Sequence, residues 1–115
     1  MKLQVTSDAD GIAHVTCEGT IAQERFSRDA DPMATLTGPS IFAKKVLLNL
    51  EKAVYIDSSG ISWLLICHKH FVQGGGRLIL HSVPPLIVKV LQIVQLQKIV
   101  SIAADEAAAL QLARG

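Results

Sequence analysis

Apolar residues recur at every second position near the start of the chain. Leu3 and Val5 are followed by Ile12, Val15 and Cys17, with His14 among them. This texture predicts two short strands, and Asp8-Ala-Asp-Gly11 between them holds hairpin turn residues. An antiparallel pair ending near Gly19 is expected. The period then breaks from Thr20 to Ala43: Gln23 to Asp29 is polar, Asp31-Pro32 can open a helix, and Gly38-Pro39 can stop one. A loop, a short helix around Met33 to Leu36 and a second loop follow from that.

From Val46 to Leu50 the chain is almost entirely apolar, as a central strand covered on both faces requires. Glu51 to Ile56 reads as a short connection and Asp57-Ser58-Ser59-Gly60 as a tight turn. Beyond it, Ile61, Leu64, Leu65, His68, Phe71 and Val72 share one face of a helix. Trp63, Ile66, Cys67 and His70 widen that surface, and Gly74-Gly75-Gly76 ends it. Arg77 to His81 is the next strand. Ser82 to Pro85 then starts a helix with Leu86, Val90, Ile93 and Val94 as its expected inward face. Lys98 to Ile102 reads as a short strand. Asp105 caps a last helix ending near Ala113, with Ala108, Leu110 and Leu112 available to pack.

Strand–helix–strand units in the second half require parallel neighbours, while the opening hairpin is antiparallel. The expected fold is α/β: one domain over residues 1–115, with a mixed sheet of about four to five strands under helices. Half of the 115 residues are hydrophobic and only 4% are aromatic, so the core is aliphatic. A net charge of +1, with no run of Lys or Arg, argues against a nucleic-acid or membrane-surface role. The opening residues lack a signal-peptide pattern, and no apolar stretch approaches the roughly 18 residues of a membrane span. Cys17 and Cys67 form no motif and are expected as free, buried thiols of a cytoplasmic protein.

Candidate chemistry concentrates at Asp57-Ser58-Ser59-Gly60. One reading is a plain helix cap, with Asp57 or a serine accepting from a free N–H and Gly60 easing the turn. The other is a phosphate acceptor, because a helix N-terminus favours negative charge. Catalysis is disfavoured: Gly-x-Ser-x-Gly is missing, and His14, His68, His70 and His81 show no base-and-carboxylate pattern. His68 and His70, two apart on a helix, face different sides and do not suit a shared metal. No cofactor motif is present, since the triple glycine lacks the Lys and Ser/Thr of a P-loop. Trp63 is either core packing or an anchor for a partner.

Val46-Leu-Leu-Asn-Leu-Glu51, Tyr55-Ile-Asp-Ser-Ser-Gly-Ile61 and Gly74-Gly-Gly-Arg-Leu78 together resemble the STAS domain of bacterial anti-sigma factor antagonists. The likeness runs on through the proline-started helix to the Ile99–Leu112 region. It implies a STAS-like fold and a non-enzymatic partner switch in transcription control. In that family the unphosphorylated antagonist captures an anti-sigma factor that is itself a serine kinase. Phosphorylation in this turn releases it, and a metal-dependent serine phosphatase restores binding. The family's acceptor falls on Ser58, with Ser59 the second choice, and Asp57 orients the turn. Asp57, Ser58, Ser59, Gly60, Ile61 and Trp63 are thereby the expected partner-binding residues, on a monomer or weak dimer. Gly19-Thr-Ile-Ala22 lacks the acidic residue the family carries there, which leaves Glu24 as its stand-in. Two other functions fit the sequence. One is a STAS docking module without phosphorylation switching, the other a small-ligand or lipid carrier with an apolar pocket beside the 20–43 segment.

Overall fold

The structure, a computed structural model, describes residues 1–23 and 31–115. The opening hairpin forms as its turn chemistry dictates. Strands β1 (Lys2–Ala9) and β2 (Ile12–Ile21) pair antiparallel across a two-residue loop, Asp10-Gly11, with φ of 58° and 75°. Positive φ at both loop positions is the twist-matched hairpin geometry that Asp-Gly sequences favour.

Next come α1 (Ala34–Thr37), a 3-10 turn (Pro39–Ala43), β3 (Lys45–Asn49), β4 (Ala53–Ile56) and α2 (Ser58–Gly74). The chain closes with β5 (Arg77–His81), α3 (Pro85–Ile93), a 3-10 turn (Leu96–Lys98), β6 (Ser101–Ala103) and α4 (Glu106–Arg114). The sheet order is β1-β2-β3-β5-β6, and β4 pairs with the far end of β2; every pairing except β1–β2 is parallel.

Among the described residues the sheet has six strands, one more than the upper expectation, because residues 53–56 are a strand and not a connection. The reason is tertiary. Val54 and Tyr55 are both exposed and give no alternation; β4 exists because the end of β2 offers it a parallel partner. The last strand likewise starts later than Lys98, whose residue closes the 3-10 turn.

One face of the sheet, through Val15, Cys17, Val46, Leu48, Leu78 and Leu80, packs against α2 and α3. The opposite face presents Leu47 and Ile79 to Ala109 and Ala113 of α4. This double cover is why β3 and β5 read as unbroken apolar runs. Cations from the sheet satisfy the last carbonyls of α4: Lys45 Nζ donates to Ala113 O, and Arg77 Nη1 donates to Leu112 O at 3.0 Å. Positive charge is favourable there, at the negative end of the helix dipole.

Two helical faces differ from expectation. On α2 the buried side chains are Trp63, Leu64, Cys67, His70 and Phe71, whereas Val72 is exposed. On α3, Ile87 and Leu91 are buried while Leu86, Ile93 and Val94 face outward. Almost every α3 position is apolar, so two overlapping stripes satisfy the same period. The proline pair, with Pro84 as N-cap and Pro85 in the first turn, fixes how the helix enters, and packing selects the stripe.

Both cysteines are free and buried. Burial pushes the Cys17 thiol up to about 11, and burial, then the Asp31 carboxylate, push Cys67 up as well. No described helix is long and apolar enough to cross a membrane.

Candidate functional site: the Asp57–Gly60 turn

Strand β4 delivers the chain to the turn. Ile56 registers with Ile21, and the Asp57 N–H donates to Ile21 O at 3.3 Å. Asp57 is extended, at φ −99° and ψ −179°, and acts as N-cap of α2. Its Oδ1 accepts from the Gly60 N–H at 2.9 Å and from Ser59 Oγ at 2.6 Å. The Ser59 hydroxyl, then the Gly60 amide, hold the Asp57 carboxyl below the usual carboxylate range.

The two serines have different work. Ser59 Oγ donates to Asp57 and accepts from the Gln23 N–H at 3.1 Å, so its hydroxyl ties the end of β2 to the start of α2. Ser58, the first residue of α2, is exposed, and its hydroxyl bonds to none of the described residues. Ser59→Ala is therefore expected to lower stability by about 1 kcal/mol through loss of two partly buried hydrogen bonds. Ser58→Ala should stay within about 0.5 kcal/mol of wild type. Urea unfolding of both variants checks this; equal losses would contradict the division of labour.

Gly60 is small for a reason the turn alone does not supply. A Cβ there would lie 1.9 Å from Ile21 O and 2.9 Å from Ile56 Cγ1. The glycine lets the first turn of α2 press on the end of β2, and its φ is not positive. In the triple glycine, Gly75 is the left-handed cap at φ 84°, while Gly74 and Gly76 admit the backbone of Phe42 and Lys44.

Behind the turn lies a polar cluster. Asp31 is buried, and its Oδ1 accepts from the Met33 N–H at 2.9 Å and from Trp63 Nε1 at 3.0 Å. Its Oδ2 lies 2.9 Å from His70 Nδ1. Asp31 thus opens the α1 turn and clamps it to two turns of α2.

Of the residues expected at the site, Asp57, Ser58 and Ser59 form the turn and Ile61 is half-buried behind it. Trp63 is fully buried, which makes it the core residue of the two alternatives. His70 joins it in the cluster while His68 lies elsewhere, partly exposed, and Glu24 lies outside the described residues. Sequence reasoning missed Asp31 as a long-range partner. The available signal was Trp63 and His70 at i and i+7, polar ring nitrogens on one face of an otherwise apolar helix. Among the described residues no group of three or more His, Cys, Asp or Glu could hold a metal ion.

The STAS domain family model matches residues 8–109. A Thermotoga maritima protein provisionally assigned as an anti-sigma factor antagonist superposes with a TM-score of 0.80 at 19% identity. The match covers 95% of this chain and 92% of that one. The unphosphorylated form of the anti-sigma factor antagonist SpoIIAA gives a TM-score of 0.62 at 20% identity, over 99% of both chains. An anti-sigma-factor antagonist (STAS) domain protein from Planctomyces limnophilus gives 0.67 at 21%, over 98% of both. At such identities the likeness is one of fold, and the family model supplies the assignment: this chain belongs to the STAS domain family.

Proposed function

We propose that this protein is an anti-sigma factor antagonist of the partner-switching type, one STAS domain with no catalytic activity of its own. Unphosphorylated, it binds an anti-sigma factor that is also a serine kinase. Phosphorylation at Ser58 releases it, and a metal-dependent serine phosphatase resets the switch in the cytoplasm. The observation that carries this reading is the contrast between the serines: Ser58 is exposed at the N-terminus of α2, whereas Ser59 is held on both sides.

Physical chemistry favours that position. The first turn of a helix leaves N–H groups unpaired and carries the positive end of the dipole, so a phosphate is tolerated there. It also brings about −1.5 to −2 charges to the surface a partner would cover. One modification then leaves the fold intact and changes the contact. An apolar recess of about 180 Å³, lined by Val88, Leu91, Gln92, Gln97 and Ile102, sits beside α3 and β6. It is smaller than the ~300–1,000 Å³ of typical ligand pockets, and none of the described residues of the 20–43 segment lines it. It gives the carrier reading no support.

The test is incubation with the anti-sigma factor kinase and ATP, followed by mass spectrometry of wild type and Ser58→Ala. One phosphate on wild type and none on Ser58→Ala is the expected result; full labelling of the variant would move the acceptor elsewhere. Ser58→Asp is expected to weaken the kinase complex several-fold or more by repulsion. Unchanged affinity would leave a docking module without a phosphorylation switch.

A further inference from the structure

Ser58 is exposed and its hydroxyl bonds to none of the described residues, but both of its neighbours are fastened. On one side, the Asp57 N–H donates to Ile21 O at 3.3 Å, and Asp57 O accepts from the Ile61 N–H at 3.0 Å. On the other, Ser59 Oγ accepts from the Gln23 N–H at 3.1 Å. The two neighbouring side chains then join across Ser58: Ser59 Oγ donates to Asp57 Oδ1 at 2.6 Å, and the Gly60 N–H donates to the same oxygen at 2.9 Å.

The backbone of Ser58 is thus spanned by a closed hydrogen-bonded ring, tied on both sides to the end of β2 and the residues just after it. Its Cα–Cβ bond cannot change direction unless one of those bonds breaks. The close seat of Gly60 on Ile21 O leaves the turn no room to shift toward β2. What stays free is the single torsion χ1, which swings the hydroxyl about a fixed axis.

Phosphoryl transfer rewards that arrangement, because its catalysis is almost entirely positioning and charge stabilisation. Ser58 Oγ forms a bond to the γ-phosphorus of ATP as the bond from that phosphorus to the β–γ bridging oxygen breaks. ADP leaves with that electron pair, and the hydroxyl proton passes to a base on the kinase. The acceptor oxygen must lie in line with the leaving oxygen, and a displacement of about 1 Å can cost on the order of a hundredfold in rate.

Within the ring, Ser59 Oγ is the side-chain atom that both donates and accepts. Deleting it opens the ring at two contacts, while the Asp57 carboxylate still caps Gly60. We propose that Ser59 is a positioning residue for the phosphorylation of Ser58: by joining Asp57 to the Gln23 amide, its hydroxyl fixes the direction from which the acceptor is presented. The inference rests on Ser58 being the acceptor, and the experiment separates the two.

Phosphorylation by the purified anti-sigma factor kinase and ATP is followed at steady state, well below the melting temperature of every variant. Mass spectrometry locates the phosphate, and calorimetry measures kinase binding. Ser59→Ala should lower kcat about tenfold or more, with KM and Kd within about twofold of wild type. Ser59→Thr, which keeps the hydroxyl, should recover most of that loss. Gly75→Ala, destabilised at the left-handed cap at the other end of α2, should keep the wild-type kcat.

A wild-type kcat in Ser59→Ala, with Ser58 labelled, overturns this inference alone. So does an equal loss in Gly75→Ala, which would trace the effect to general stability. Weaker kinase binding by Ser59→Ala at unchanged kcat would make Ser59 a contact residue, and Ser59→Thr no better than Ser59→Ala would take the role from the hydroxyl; either overturns it. Wild type labelled at Ser59, or left unlabelled at Ser58, overturns the functional reading and this inference together.

Discussion

Asp31→Ala is expected to destabilise the protein by about 3–5 kcal/mol, a large part of the ~5–15 kcal/mol that holds a domain of this size. The carboxyl accepts from the Met33 amide and the Trp63 indole and faces His70 Nδ1, all without solvent. Removing it leaves buried donors unpaired, which costs more than the net worth of the bonds themselves. The melting temperature should fall by roughly 10–20 °C. Trp63 is the only tryptophan in the chain, so its emission reports the site directly.

Asp31→Asn provides the comparison. Its carbonyl oxygen can still receive Met33 and Trp63, and the amide can donate to a His70 ring that has changed tautomer. A loss smaller than that of Asp31→Ala is expected, with Trp63 emission near wild type. An Asp31→Ala variant within about 1 kcal/mol of wild type would show the cluster to be incidental.

Gly60→Ala is the second large effect. The added methyl would fall 1.9 Å from Ile21 O, a backbone atom that cannot swing away as a side chain would. Overpacking typically costs about 1–3 kcal/mol, and a clash with backbone belongs at or above the top of that range. Relief requires the first turn of α2 to part from the end of β2. That breaks the Asp57 N–H bond to Ile21 O and the Gln23 bond to Ser59. Faster hydrogen exchange at Asp57 and Gln23 should accompany the lower stability.

Gly75→Ala separates this cause from backbone freedom. A Cβ on Gly75 meets nothing within 4 Å, but its φ of 84° is unfavourable for alanine, so the cost should be about 1–2 kcal/mol. Exchange at Asp57 should stay unchanged. If Gly60→Ala proved the milder variant, the close approach would not be what fixes glycine at that position.

Much of this architecture was legible in the sequence because local chemistry and tertiary demand agreed. The Asp10-Gly11 turn, the apolar runs of β3 and β5, the Gly75 cap and the Asp105 cap each carry their reason within a few residues. The Asp105 carboxylate, for instance, accepts from the Ala108 N–H at 2.9 Å, three residues along. The turn at Asp57 was equally readable as a cap, and the family resemblance singled out Ser58 within it.

What eluded the sequence depends on partners distant along the chain. Strand β4 has too short and too exposed a pattern to announce itself, and β2 creates it. The burial of α3 was ambiguous because two apolar stripes fit one period. Asp31 reads locally as the start of a helix; its bonds to Trp63 and His70 span 32 and 39 residues.

At the candidate site, residue identity alone determined that two hydroxyls stand at a helix N-terminus beside an acid and a glycine. It did not distinguish the hydroxyls. The end of β2 did so, by bringing the Gln23 amide to Ser59 Oγ and leaving Ser58 in solvent. A hydrogen bond across 36 residues has no trace in a local pattern, because its two halves become neighbours only when parallel pairing with β4 aligns them.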